Sequence, residues 1–215
     1  MIHDVLVLAH LMGVMLLGAA IFGALFGDHC VRRARCVEQI GDALRHVEQT
    51  GQWLLAPGVV LLLASGALLV VRHYGGWHFV GVPWLAGMVS LYAFESVRGA
   101  TLTRRHAMRL RRAVDGARAA ARVPAELDRL RRDPVAVLGR FLEATLFVLI
   151  VALGLFRPQS WTTLWVGAVA AVVAAAIAAY VVTSGARAAN SSSRASVDGA
   201  GRRPSVAAST SRQRQ

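Results

Sequence analysis

Residues 5–26 read VLVLAHLMGVMLLGAAIFGALF, a run without a formal charge. At 1.5 Å per residue it makes a helix of about 33 Å, enough to cross the ~30 Å hydrocarbon core of a bilayer. One residue in it is not hydrocarbon filling. His10 lies roughly two turns below the leading end, and an imidazole at that depth needs a partner, so it marks a functional site by default. Asp4 stands ahead of the run where a signal peptide would carry basic residues, and the run is too long for a signal h-region. It reads as a retained span.

The whole chain follows the same pattern. Of its 215 residues 55% are hydrophobic and 17% charged, and the apolar ones are clumped into long uncharged runs. That distribution describes a set of spans, not one large soluble core. The spans read as 5–26, 53–71, 79–97, 135–156 and 161–183. Pro57 is tolerated in the first turns of the second, and Gly75-Gly76 turns the chain back toward the third, with Tyr74 and Trp77 suited to a membrane interface. The fourth is uncharged only over 144–156, but Asp133 is a good N-cap and Pro134 a good first helical residue, so the helix is long enough to span with Arg140 snorkelling. The fifth is rich in alanine, which lets helices approach closely.

All 24 basic residues are arginine, which reads as a compositional bias of the source. The net charge of +12 would suggest nucleic acid, but the arginines are confined to the segments between spans. All but Arg72 and Arg157 fall after spans one, three and five. The positive-inside bias then places the N-terminus outside and the C-terminus in the cytoplasm, and assigns the basic charge to topology and anionic headgroups, leaving no nucleic-acid partner. Cys30 and Cys36 fall in an inner segment, where a disulfide is not expected and the spacing fits no zinc pattern. Residues 184–215 lack aromatics and read as a disordered cytoplasmic tail, in which RRPS ending at Ser205 matches a basophilic kinase pattern.

The outer face gathers His3, His10, His73 and His78, with His3 and His10 seven apart on one helical face. Met88 lies deeper in the third span. Imidazole and thioether are ligands of haem iron and copper, so His10 and Met88 are candidate cofactor ligands and His3, His73 and His78 candidate metal ligands. The bland reading stands beside this: interfacial histidines are ordinary, and His10 can hydrogen-bond a neighbouring helix. At the inner edge Glu95 and Arg98 can pair, and Arg140 and Glu143 lie at the same level. No nucleophile–base pair, phosphate loop or HExxH pattern occurs, which favours a protein that is not an enzyme.

The motifs LAHLMGVMLLGAAIFG, PWLAGMVSLYAFE and the closing LFRP resemble a broad group of bacterial inner-membrane proteins. It includes uncharacterised predicted integral membrane proteins, the copper-resistance D type and the HemJ type of protoporphyrinogen oxidase. The resemblance covers about residues 1–158 and implies a bacterial inner-membrane location. In the HemJ type a first-span His and a third-span Lys after a Trp are linked with haem b; His10 and Trp84 match, and the Lys position falls on Met88. The expectation is therefore an all-α integral membrane bundle of five transmembrane helices, a four-helix core plus one Ala-rich helix, over residues 1–183. Three functions stay open: an uncharacterised membrane protein holding haem b or copper near His10, a subunit of a metal or small-solute transporter, and a structural or assembly protein without ligand. A homo- or hetero-oligomer is compatible with each.

Overall fold

The computed structural model describes residues 1–117 and 123–201, and side chains of 1–117 and 123–185. Among the described residues the chain is helical and holds no strand. The helices are α1 (Ile2–Arg33), α2 (Val37–Thr50), α3 (Ala56–Tyr74), α4 (Pro83–Arg98), α5 (Arg104–Ala117), α6 (Ala125–Arg131), α7 (Pro134–Phe156) and α8 (Trp161–Gly201). Among the described residues four stretches are long and apolar enough to cross a membrane: Ile2–Arg33, Val37–Tyr74, Ala125–Phe156 and Trp161–Gly185. They correspond to the first, second, fourth and fifth expected spans.

The stretch expected to form the third span is shorter than its hydropathy suggests. Residues Trp77–Gly81 form a 3-10 turn and Val82 is extended, so α4 starts at Pro83 instead of Phe79. Proline fixes that start because it forces the preceding residue out of the helical region. With Glu95 and Arg98 at its other end, α4 is not among the four apolar candidates. It nevertheless runs antiparallel to α7. Arg157 lies over the Trp84 ring at 5.6 Å, Met88 faces Gly154, and the Arg98 side chain reaches Gly139 and Glu143.

The spans pack through small residues. A Cβ on Gly13 would lie 2.7 Å from the Leu62 nitrogen, and one on Gly58 would lie 2.9 Å from the Leu17 nitrogen, so α1 and α3 touch backbone to backbone. Leu17 and Ile21 of α1 and Ala144 of α7 form a buried cluster, flanked by Val59 and Leu62 of α3 and Tyr92 of α4. Over its first part α8 buries Leu164, Ala171, Ala175 and Ala179 along one side, while Trp165, Val169, Val173 and Ile177 stay exposed, as lipid-facing residues do. The helix continues past Thr183 to Gly201; the rest of the expected tail, 202–215 with Ser205, lies outside the described residues.

The most tightly buried side chains mostly lie beyond the apolar runs. Val31 is 1% exposed, Ile40 0% and Leu127 1%, and with Val37, Leu110, Val114 and Ala117 they form a cap built from the end of α1, α2, α5 and α6. The sequence suggests that the Arg-rich segment between spans three and four is a solvated or lipid-touching face; in the structure only one side of α5 is exposed, and its apolar side closes this core. Two π turns, Gly51–Leu55 and Gly99–Thr103, join cap to span, the first between α2 and α3 and the second between α4 and α5. The Arg131 guanidinium, 7% exposed, ties the cap together. It donates to Ala34 O at 2.6 Å and Val31 O at 3.3 Å, carbonyls at the end of α1, and to Asp128 at 2.5 Å.

Candidate functional site

Three polar groupings lie between or beside the spans. The first is His10 on α1. Ser65 of α3 donates its only hydroxyl proton to Leu61 O at 2.5 Å, so its oxygen accepts from His10 Nδ1 at 3.2 Å. Gly66 makes room, because a Cβ there would sit 3.1 Å from His10 Cε1. His10 thus spends one ring nitrogen on the neighbouring helix. Met88, its expected companion, packs instead against Gly154 of α7, with a Cβ at Gly154 lying 3.5 Å from its sulfur. The two candidate cofactor ligands belong to different helix pairs, α1/α3 and α4/α7.

The second grouping is at the opposite end of the bundle from the cap. The rings of His3 and His73 are brought together with centroids 4.8 Å apart and planes tilted by 52°. His73 Nδ1 lies 3.1 Å from Leu69 O, and His78 Nδ1 lies 3.3 Å from Gly75 O, in the turn where Gly75 and Gly76 take positive φ. A carbonyl oxygen only accepts, so both nitrogens carry the proton. Beside this turn Tyr74 packs edge-on against Trp84 at 6.2 Å.

The third grouping is a set of four charges where α4 and α7 approach the cap. Arg98, 8% exposed, holds Glu95 with Nε at 3.0 Å and Nη2 at 2.6 Å and reaches Glu143 at 3.6 Å, which Arg140 also contacts at 3.3 Å. Gly139 admits the guanidinium, since a Cβ there would sit 3.1 Å from Arg98 Nη1. Two positive and two negative groups cancel, which is the arrangement that lets charges stay buried. Within the cap, burial alone would raise the Asp128 carboxyl, but the hydrogen bonds and charges of Arg131 and Arg132 hold it below its usual range.

A groove of about 320 Å³ lies in the cap, lined by Val37, Glu38, Gly41, Asp42, Arg45 and Val114. No residue of α3 lines it. Among the described residues no group of three or more His, Cys, Asp or Glu side chains is assembled to hold a metal, and Cys30 and Cys36 are free thiols. Sequence reasoning missed the link from Arg98 to Glu143 and the clasp of Arg131 on α1. Asp128 three residues before Arg131 hints at a local pair but not at the carbonyls it reaches.

The family model described as "Predicted integral membrane protein (DUF2269)" matches residues 4–158. The chain belongs to this family. The DUF2269 match takes in α1 to α7 and stops before α8. No curated protein and no solved structure matches the chain. Of the resemblances drawn from the sequence, the one to uncharacterised membrane proteins is shown, and those to the copper-resistance D and HemJ types are not.

Proposed function

We propose that this DUF2269 protein is a non-enzymatic scaffold of a bacterial inner membrane, crossing it five times with its N-terminus outside and its C-terminus and cap in the cytoplasm. The observation that carries the scaffold reading is how the polar groups of the spans are used. His10 bonds to Ser65 across α1/α3, and Arg98, held by Glu95 on its own helix, pairs with Glu143 across α4/α7. Both join helices in the manner expected of polar residues that hold a membrane bundle together.

Support for a fifth traverse comes from α4 itself. From Trp84 to Arg98 it covers about 21 Å beside α7 and leads through a π turn into α5 of the cap. Flanked by α7, a short helix with buried end charges is tolerated at membrane depth. An odd number of crossings also puts 22 of the 24 arginines on one side, as the positive-inside bias requires. The exposed side of α5, with Arg104, Arg105, Arg109 and Arg112, then faces anionic headgroups.

Two measurements test the proposal. A reporter active only in the cytoplasm should work when fused after Gln215 and fail when inserted after Gly76; the reverse pattern, or activity at both, overturns the topology. The purified protein should show no Soret band, and a band that disappears in His10→Ala overturns the ligand-free reading of the spans.

A further inference from the structure

We propose that His3 and His73 form a two-imidazole site for a divalent transition ion of the copper or zinc class. Two imidazoles on one ion, with nitrogen–metal bonds of about 2.0–2.1 Å and an angle at the metal of about 90–110°, have ring centroids roughly 4.5–5.2 Å apart. The 4.8 Å separation of His3 and His73 falls in that range. The hydrogen bond from His73 Nδ1 to Leu69 O does a second part of the job. It places the proton on Nδ1, fixes the ring and leaves the Nε2 lone pair for the metal, the orienting contact that histidine ligands use.

The two side chains come from different helices, so the ion closes the α1/α3 seam at its open end. Both histidines are exposed, so an ion can enter from solvent and the rings are not needed to complete a core. Among the described residues no group of three or more His, Cys, Asp or Glu forms here, which leaves the other coordination positions to water or to an incoming donor. That makes an exchangeable site, unlike a closed structural one. Imidazole suits copper, zinc and nickel, and among divalent ions copper binds nitrogen sites most tightly, which makes Cu(II) the probe of choice.

The test is Cu(II) titration of the full-length protein in detergent, followed by calorimetry and by electron paramagnetic resonance. One equivalent should bind with nitrogen hyperfine structure, and His3→Ala and His73→Ala should each weaken it by about a hundredfold, the loss expected when a second linked contact is removed. His78→Ala should bind as the parent does. A thermal midpoint raised by Cu(II) in the parent and unmoved in His73→Ala gives an independent reading of the same site. Binding unchanged in both His3→Ala and His73→Ala overturns the proposal. So does loss in His3→Ala with His73→Ala unaffected, which would assign the ion to the segment around His3 alone.

Discussion

Replacing Gly13 by alanine puts a methyl carbon 2.7 Å from the Leu62 nitrogen, 3.0 Å from Leu62 Cα and 3.1 Å from Gly58 O. All three obstacles are backbone, so no rotamer change relieves them. Ordinary contact lies at about 3.5–4.0 Å, so α1 and α3 must part by roughly 0.5–1 Å. Overpacking of this kind costs about 1–3 kcal/mol. The same displacement stretches the 3.2 Å bond from His10 to Ser65 past its useful range, which costs a further ~0.6 kcal/mol by the measured average for bonds between membrane helices. The sum, about 2–4 kcal/mol, lowers the thermal midpoint by roughly 5–15 °C for a chain of this size. The assay is unfolding in detergent followed by circular dichroism, with Gly99→Ala as the control. A Cβ on Gly99 meets nothing within 4 Å, and the residue already has helical φ, so this variant should match or slightly exceed the parent. If Gly13→Ala unfolds at the parent's temperature, the close approach of α1 and α3 is refuted.

Arg98→Ala should be among the most damaging single changes, because it strands Glu95 and leaves Glu143 to Arg140 alone; losing one partner of a buried pair costs about 3–5 kcal/mol. Arg98→Lys should rescue little, since one ammonium cannot reproduce the Nε and Nη2 fork on Glu95, and thermal unfolding would show it. Arg131→Ala should free α6 from the end of α1, read as faster hydrogen exchange over Ala125–Arg131 with the exchange of α3 unchanged. The depressed Asp128 carboxyl sets a pH dependence: its contribution is fully present above the unfolded carboxylate pKa and is lost as pH falls through the lower folded value. The same α6 amides should therefore lose protection in acid, and Asp128→Asn should abolish that acid step.

The spans were legible because hydrocarbon admits long uncharged runs and little else, so residues 5–26 and 161–183 announce themselves by composition. The start of α7 and the turn at Gly75-Gly76 were legible for a local reason, since Asp133, Pro134 and the two glycines act through their own backbone preferences. The start of α4 was not read correctly. Pro83 outweighs the apolar residues before it, and hydropathy does not register that. The cap could not be read, because Ile40, Leu110 and Leu127 lie on helices far apart in the chain and each looks like an ordinary amphipathic position. The histidines divide in the same way. The order of the spans grouped His3, His10, His73 and His78 at the outer face, but only the facing of α1 and α3 separates the pair that meets, His3 and His73, from His78, which closes its own turn. Ser65 gave no sign of being the partner of His10, since a lone hydroxyl in a span reveals depth and not direction.

The cap has a consequence for how the chain is made. On the five-span topology proposed above, its core draws Val31 and Ile40 from one inner segment and Leu110 and Leu127 from the next, with α3 and α4 between them, so it cannot assemble until both intervening helices have been inserted the right way round. A helix threaded backwards would carry its share of those side chains to the opposite side of the lipid and leave the others uncovered in water. Quality-control proteases that recognise greasy, unfinished surface would then have a target that exists only in misassembled copies. On that topology, the best-packed part of the molecule can form only in a correctly inserted copy.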